Sequence, residues 1–267
     1  MNASALRLGV HKTRYAAGYA EKRYTVEREV VQMTRQLEAP LKRSQVQAIY
    51  DRVGRRYDLL RFAEAAPKRG ALALLSVQPG ERVLEVGVGT GAVLIELARS
   101  VTAGFPAGQQ PASPLVSGLD LSPVMLEVAR ARLDSVGLGS TVELRKGDAC
   151  ALPYEDQTFD ALFSSYVFDL LPTADIARAL AECYRILRPG GRSALISLSP
   201  GRGAGARLFT TLYERLYRRR PAWFAGCRPL SLAQPAATAG FTICAERSWF
   251  RGHPSEAIFA RKEGCST

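Results

Sequence analysis

Glycines at 87, 89 and 91 follow directly on the apolar run VLEV (83–86), and a helix-like segment begins at Ala92. A glycine-rich turn between a strand and a helix lets a ligand lie against backbone where a side chain would block it. The same turn aims free N–H groups at the ligand from the helix N-terminus. Two carboxylates stand at the ends of the next strand-like segments. Asp120, in GLDLS, can accept hydrogen bonds from both ribose hydroxyls of an adenosine-type ligand held at the glycine turn, and Asp148, in GDACALP, can receive an exocyclic amine such as that of adenine. A third carboxylate, Glu85, lies inside the strand before the glycines. The spacing is G-x-G-x-G, not the G-x-G-x-x-G of a dinucleotide fingerprint.

Such residues need strands that end together and helices that follow at once. From about residue 71 the chain alternates the two: strand-like RVLEV (82–86), LVSGLDLS (115–122), TVELRKGDA (141–149), FDALFSSYVF (159–168) and RSALISLS (192–199), with helix-like AVLIELARS (92–100), PVMLEVARARL (123–133) and ADIARALAECYRIL (174–187) between. Parallel neighbours are reached only by crossovers, so this alternation predicts parallel β-α-β units. The near-continuous apolar character of the strands predicts helices on both faces. A hairpin-like pair, GFTICAERSWF (240–250) and SEAIFARK (255–262), closes the chain. The expected fold is α/β: a Rossmann-like, seven-stranded, mostly parallel sheet with an antiparallel C-terminal hairpin.

Outside this pattern lie a basic, helical extension (1–44) and one domain over 45–265, with cap or insert helices at 45–70 and 201–230 above the sheet's carboxyl edge. In the first cap stretch, Val46, Ile49, Val53, Tyr57 and Leu60 fall at helical steps as one apolar stripe. In the second, Leu208, Leu212 and Leu216 form a strip beside Phe209, Tyr213 and Tyr217, with Arg215 and Arg218–Arg220 crowding the end and Trp223 and Phe224 after them.

The net charge of +11 is uneven: residues 1–62 carry thirteen Lys and Arg against six Asp and Glu, and residues 205–228 carry six Arg against one Glu. Such regions suit nucleic acid, anionic lipid head groups or an acidic substrate, and composition does not choose among them; stretches 1–62 and 206–224 are candidates for an anionic membrane surface, the latter as an interfacial helix or as a cap with a solvated arginine face. No apolar run reaches the eighteen residues of a spanning helix, and no signal-type stretch opens the chain. The expected location is cytoplasmic, or peripheral on the inner face of the membrane. The five cysteines and two histidines show no zinc spacing, so no metal ligands are expected.

The strings VLEVGVGTG, GLDLSPVMLEVAR, KGDACALPYEDQTFD and LRPGGR, in that order, resemble class I S-adenosylmethionine-dependent methyltransferases over roughly residues 45–262. AIYDRVGRRYDLL (48–60) is similar to the N-terminal helix of the ubiquinone/menaquinone-biosynthesis C-methyltransferases and of the bacterial phosphatidylethanolamine N-methyltransferases. The resemblance implies S-adenosylmethionine as cofactor. It sets Glu85, Gly87, Val88, Gly89 and Gly91 around the methionine part, Asp120 and Leu121 at the ribose, Met125 against the adenine, and Asp148 and Ala149 binding it. Ser164 to Tyr166 would lie beside the sulfonium, and Tyr57 would close over the methyl group. Cys150 is expected to line the site without attacking.

Methyl transfer needs alignment of nucleophile, methyl and sulfur more than it needs an acid or base. Where the acceptor must lose a proton a base helps, and Asp169, Tyr166 and His253 are the candidates. The catalytic set is thus Tyr57, Tyr166 and Asp169. The expected acceptor is a hydrophobic small molecule or lipid, either a quinone-type ring carbon or an amine head group. An RNA or protein methyltransferase and a non-catalytic cofactor-binding regulatory module are the alternatives. The N-P-P-Y type signature of base-nitrogen methylation is absent where SSYV stands, which disfavours nucleic acid.

Overall fold

The computed structural model describes residues 41–54, 61–106, 111–199, 204–249 and 254–264, with the side chains of 61–63, 204–207 and 209 left aside. All of these residues fall in one unit, Gln36–Thr267. Tyr57, Leu60, His253 and residues 1–40 of the basic extension lie outside the described residues.

Seven strands form one sheet in the order β3-β2-β1-β4-β5-β7-β6. They are β1 (Val83–Val86), β2 (Val116–Asp120), β3 (Val142–Lys146), β4 (Phe159–Ser165), β5 (Leu187–Leu198), β6 (Thr242–Trp249) and β7 (Ser255–Arg261). β1 to β5 run parallel, and β7 lies antiparallel to both β5 and β6. The chain leaves β1 outward through β2 and β3, then returns to place β4 on β1's other side. That reversal opens a crevice at the carboxyl end of β1, where open α/β sheets hold ligands.

Alternation along the strands splits the core in two. Leu84, Val86, Leu162 and Leu195 face a cluster with Ile176, Leu180, Cys183 and Ile186 of α5 (Thr173–Ile186). Val83, Val116, Phe163 and Ile196 face the other, with Leu94 and Leu97 of α3 (Ala92–Val101) and Ala129 and Leu133 of α4 (Pro123–Ser135). Each fully buried Val, Leu, Ile or Phe among them contributes roughly 1.5–3 kcal/mol.

Three boundaries differ from expectation. α5 ends at Ile186 and β5 starts at Leu187, ahead of Pro189-Gly190-Gly191; Leu187 pairs with Phe159, then residues 188–191 loop out before Arg192 resumes beside Ala161. β4 stops at Ser165 because Tyr166 takes φ +58°, and Phe168–Leu170 forms a single 3-10 turn. Of the first cap stretch, α1 (Arg43–Val53) lines the crevice, whereas α2 (Arg61–Leu75) packs along β4, β5 and β7 on a sheet face. The insert carries α6 (Ala204–Arg219), a 3-10 turn at Pro221–Phe224 and, beyond it, α7 (Ala233–Thr238).

Candidate active site

A cavity of about 1100 Å³, counting space open to solvent, occupies the crevice. Its floor is the β1–α3 turn. Gly89 has φ +49° and a Cβ there would meet nothing within 4 Å, so its bare backbone faces open space. Gly91 serves another need: at φ +76° its added Cβ would stand 2.8 Å from the Ala129 Cβ and 3.0 Å from its Cα, so the glycine admits α4 and does not line the cavity. Gly87 lines the cavity, and a Cβ there would strike the Val167 side chain.

Asp120 closes the turn. Its Oδ2 accepts the Gly89 N–H at 2.9 Å and its Oδ1 the Ser122 N–H at 2.9 Å. Burial raises its carboxyl above the usual range, against the pull of those two donors. Ser122, the N-cap of α4, accepts the Met125 N–H at 3.1 Å and donates to Asp51 of α1. One chain of bonds therefore runs from the glycine turn through Asp120 to the cap helix.

Glu85 lines the same cavity at 2% exposure, and its Oε2 is buried without a hydrogen-bond partner. Burial holds its carboxyl well above the ordinary value; Lys68 of α2 opposes that shift, and Asp120 and Glu96 add to it. Lys68 also lines the cavity, donates to Glu64 Oε2 at 2.7 Å and lies 5.7 Å from the Tyr166 ring centre. A buried acceptor left open in this way calls for a cationic hydrogen-bond donor. The ammonium of an amino-acid group supplies one, so the residues present fit S-adenosylmethionine: Glu85 for the ammonium, bare Gly89 for close approach, Asp120 for the ribose. The adjoining carboxylate rules against a phosphate at the same turn.

Asp148, two residues beyond β3, lines the cavity with Ala149. Its Oδ1 accepts the Cys150 N–H at 2.9 Å, while Arg43 of α1 pairs with its Oδ2 and reaches Asp175 Oδ2 at 2.6 Å. Val88 and Leu121 complete the expected lining.

Four expected site residues and Cys150 are placed elsewhere. Ser164 is fully buried and donates to the Val86 carbonyl at 3.0 Å; it shares Leu162's side of the strand, so Ser165 is the serine that faces the cavity. Met125 is 1% exposed inside α4 and, like Gly91, is not part of the wall. Asp169 is fully buried, with Oδ2 accepting the Leu198 N–H at 2.7 Å and Arg228 donating to its carbonyl at 2.9 Å, so it cannot serve as a base for an acceptor in the cavity. Cys150 packs into the core beside α5, its thiol pushed up to about 11 by burial and by Asp148.

Tyr166 does line the cavity. Its left-handed backbone is strained for a bulky residue, a conformation that persists where surrounding contacts enforce it. Here the hydroxyl is fixed 2.8 Å from Ser255 Oγ and burial pushes its pKa far up, so it stays protonated and is not poised to abstract a proton. Residues missed from sequence are Arg43, Gln47 and Tyr50 of α1, with Lys68. Arg43, Val46, Gln47 and Tyr50 do repeat at helical steps, but as a mostly polar stripe hidden to a search for apolar ones.

Known proteins fit this geometry. The family described as "Methyltransferase domain" matches residues 83–191. The demethylmenaquinone methyltransferase of Tropheryma whipplei (strain Twist) is 34% identical over 181 residues, 66% of each chain, so the chain spans just under two thirds of that relative's length. That of Deinococcus radiodurans is 32% identical over 187 residues, 68% of this chain and 72% of the relative. Among solved structures, an S-adenosylmethionine-dependent methyltransferase of Methanosarcina mazei shares the fold with a TM-score of 0.55 at 20% identity, over 71% of this chain and 95% of that one. Sequence kinship and the cofactor-shaped half of the cavity agree, and the chain belongs to the class I S-adenosylmethionine-dependent methyltransferases, in the group that holds the menaquinone- and ubiquinone-biosynthesis C-methyltransferases.

Proposed function

We propose that this enzyme methylates a ring carbon of a reduced quinone that carries a lipophilic tail. The observation that carries the proposal is the mixed lining of the cavity: besides the carboxylates Glu85, Asp120 and Asp148, which suit the cofactor, it holds Val46, Tyr50, Val167, Leu170 and Leu171, which offer apolar surface to an acceptor. The names of the two relatives supply the substrate class.

Bound S-adenosylmethionine supplies a methyl carbon activated by its sulfonium. The chain's residues would align that carbon and keep water from it: Ser165 and Tyr166 line the cavity at the end of β4, and Arg43, Val46, Gln47 and Tyr50 of α1 line it as well. A dihydroxylated ring brings its own electron density to the new carbon–carbon bond. The cofactor would give up its methyl group and leave as the neutral thioether, and the ring proton would be lost after bond formation, when the ring is no longer aromatic and the proton is acidic enough for water to take. No strong base is then required beside the acceptor, in keeping with the burial of Asp169 and the pinned Tyr166 hydroxyl.

A labelled-methyl assay tests this with four acceptors: a short-tailed demethylmenaquinol, its oxidised form, phosphatidylethanolamine and total RNA. Label is expected on the ring carbon of the reduced quinol alone. Transfer to the lipid amine or the RNA, with none to the quinol, would replace the proposal with the corresponding alternative.

A further inference from the structure

Five large apolar side chains stand exposed among the described residues, and four of them fall between 208 and 223: Leu208 at 74%, Leu212 at 58%, Leu216 at 42% and Trp223 at 73%. Single exposed apolar residues are ordinary, but a contiguous set marks an interaction surface. On α6 the three leucines are four residues apart and share one face, and Arg215 and Arg219 fall on the same face at three-residue steps from Leu212 and Leu216. The flanking face is anchored. Tyr213 and Tyr217 donate their hydroxyls to the carbonyls of Cys227 and Gly226 at 2.9 and 2.8 Å, and Tyr217 is 1% exposed. The helix cannot roll to hide its leucines.

The charge of this surface has one sign. Residues 204–224 hold five arginines and one glutamate. Arg220 lies 5.4 Å from the Trp223 ring centre, and Arg218 reaches Glu214 only at 3.9 Å. We infer that the outer face of α6 docks the enzyme on an anionic lipid bilayer, leucines and Trp223 among the acyl chains and arginines on the phosphates. No helix among the described residues is long and apolar enough to cross a membrane, so the contact is with the surface. A second copy is a poor occupant, because a two-fold contact would set this arginine cluster against itself. The chain's own residues 1–40 are poor as well, with seven Lys and Arg against four Glu.

This inference rests on the proposed lipophilic acceptor for its purpose. The insert that carries α6 reaches the cavity wall: a Cβ at Gly226 would sit 3.5 Å from Leu170 and 3.7 Å from Val46. An acceptor leaving the bilayer would thus enter next to the docked helix.

Flotation of the full-length protein with vesicles tests it, using phosphatidylcholine alone or mixed with phosphatidylglycerol, at low and high salt. Binding is expected to the mixed vesicles and to weaken with salt. Arg215→Gln with Arg219→Gln should reduce it on the order of 20-fold, at about fivefold per arginine. Leu212→Ser with Leu216→Ser should reduce it at either salt concentration. Both pairs should keep wild-type S-adenosylmethionine affinity by calorimetry and wild-type turnover of a water-soluble, short-tailed quinol, which shows that they fold. Equal flotation by all variants, or none by the intact protein, overturns the inference. So does a dimer in sedimentation velocity that the leucine variants disperse. Flotation without quinol methylation keeps the docking and removes the quinol; quinol methylation without flotation does the reverse.

Discussion

Glu85 is the residue whose chemistry most depends on what sits beside it. In the folded chain it is buried with its carboxyl raised, so the native state holds a proton that the unfolded chain gives up above the ordinary carboxyl range. Its contribution is complete below that range and is lost as pH climbs toward the raised value. Between about pH 5 and about pH 8, ligand-free wild type should therefore lose more stability than Glu85→Gln, as read by denaturant unfolding. Asp169 slopes the same way in both proteins and cancels in the comparison. Cofactor binding should be weaker in Glu85→Gln by about 10- to 100-fold, because the ammonium then meets a neutral amide oxygen where it had met a carboxylate. Equal pH slopes in the two proteins would show that Glu85 is ionised without a ligand. The carboxylates of this half of the site were legible because each sits next to its own strand end in sequence. The choice between Ser164 and Ser165 was not, since it depends on which face of β4 each residue meets.

At the scale of elements, the glycines divide their work between ligand and helix packing. Gly89→Ala meets only open space and a left-handed φ, so it should cost about 1–2 kcal/mol of stability while losing most cofactor affinity. Gly91→Ala drives a methyl into the Ala129 backbone and should cost about 3 kcal/mol, lowering Tm by roughly 6–12 °C. Thermal unfolding beside calorimetric titration separates them; the reverse ranking would exchange the two roles. The order and type of strands and helices were readable from apolar periodicity. The start of β5 was not, because Pro-Gly-Gly reads as a full stop when it only loops out between two paired stretches. Nor was the direction of α1, whose cavity face is its polar stripe.

Across the whole molecule, the insert is tied to the sheet through one buried charge. Arg228 bonds the Asp169 carbonyl and opposes the rise of its carboxyl, while Ser197 Oγ donates to the Leu230 carbonyl at 2.8 Å and the Leu230 N–H to the Leu198 carbonyl at 2.8 Å. Arg228→Ala removes the donor to the buried Asp169 carbonyl and the cation that opposes the rise of its carboxyl, and should cost about 1–3 kcal/mol in urea unfolding. Adding Asp169→Asn should recover part of that loss; no recovery would mean that Arg228 acts by packing alone. This tie joins residues 59 apart, and a chain read in order gives no sign of it. Charge asymmetry, by contrast, was visible from composition. What composition could not supply was exposure: the fold turns Tyr213 and Tyr217 inward and leaves the leucines of α6 outside.

Asp120 has a consequence for affinity. Both of its oxygens are engaged by backbone N–H groups within the fold, yet a carboxylate offers about four lone-pair sites, so acceptor capacity remains for a guest in the cavity that Asp120 lines. The carboxylate is a host already organised before its guest arrives. Its rotamer entropy is surrendered during folding, and the cofactor meets a rigid acceptor whose ordering does not count against binding.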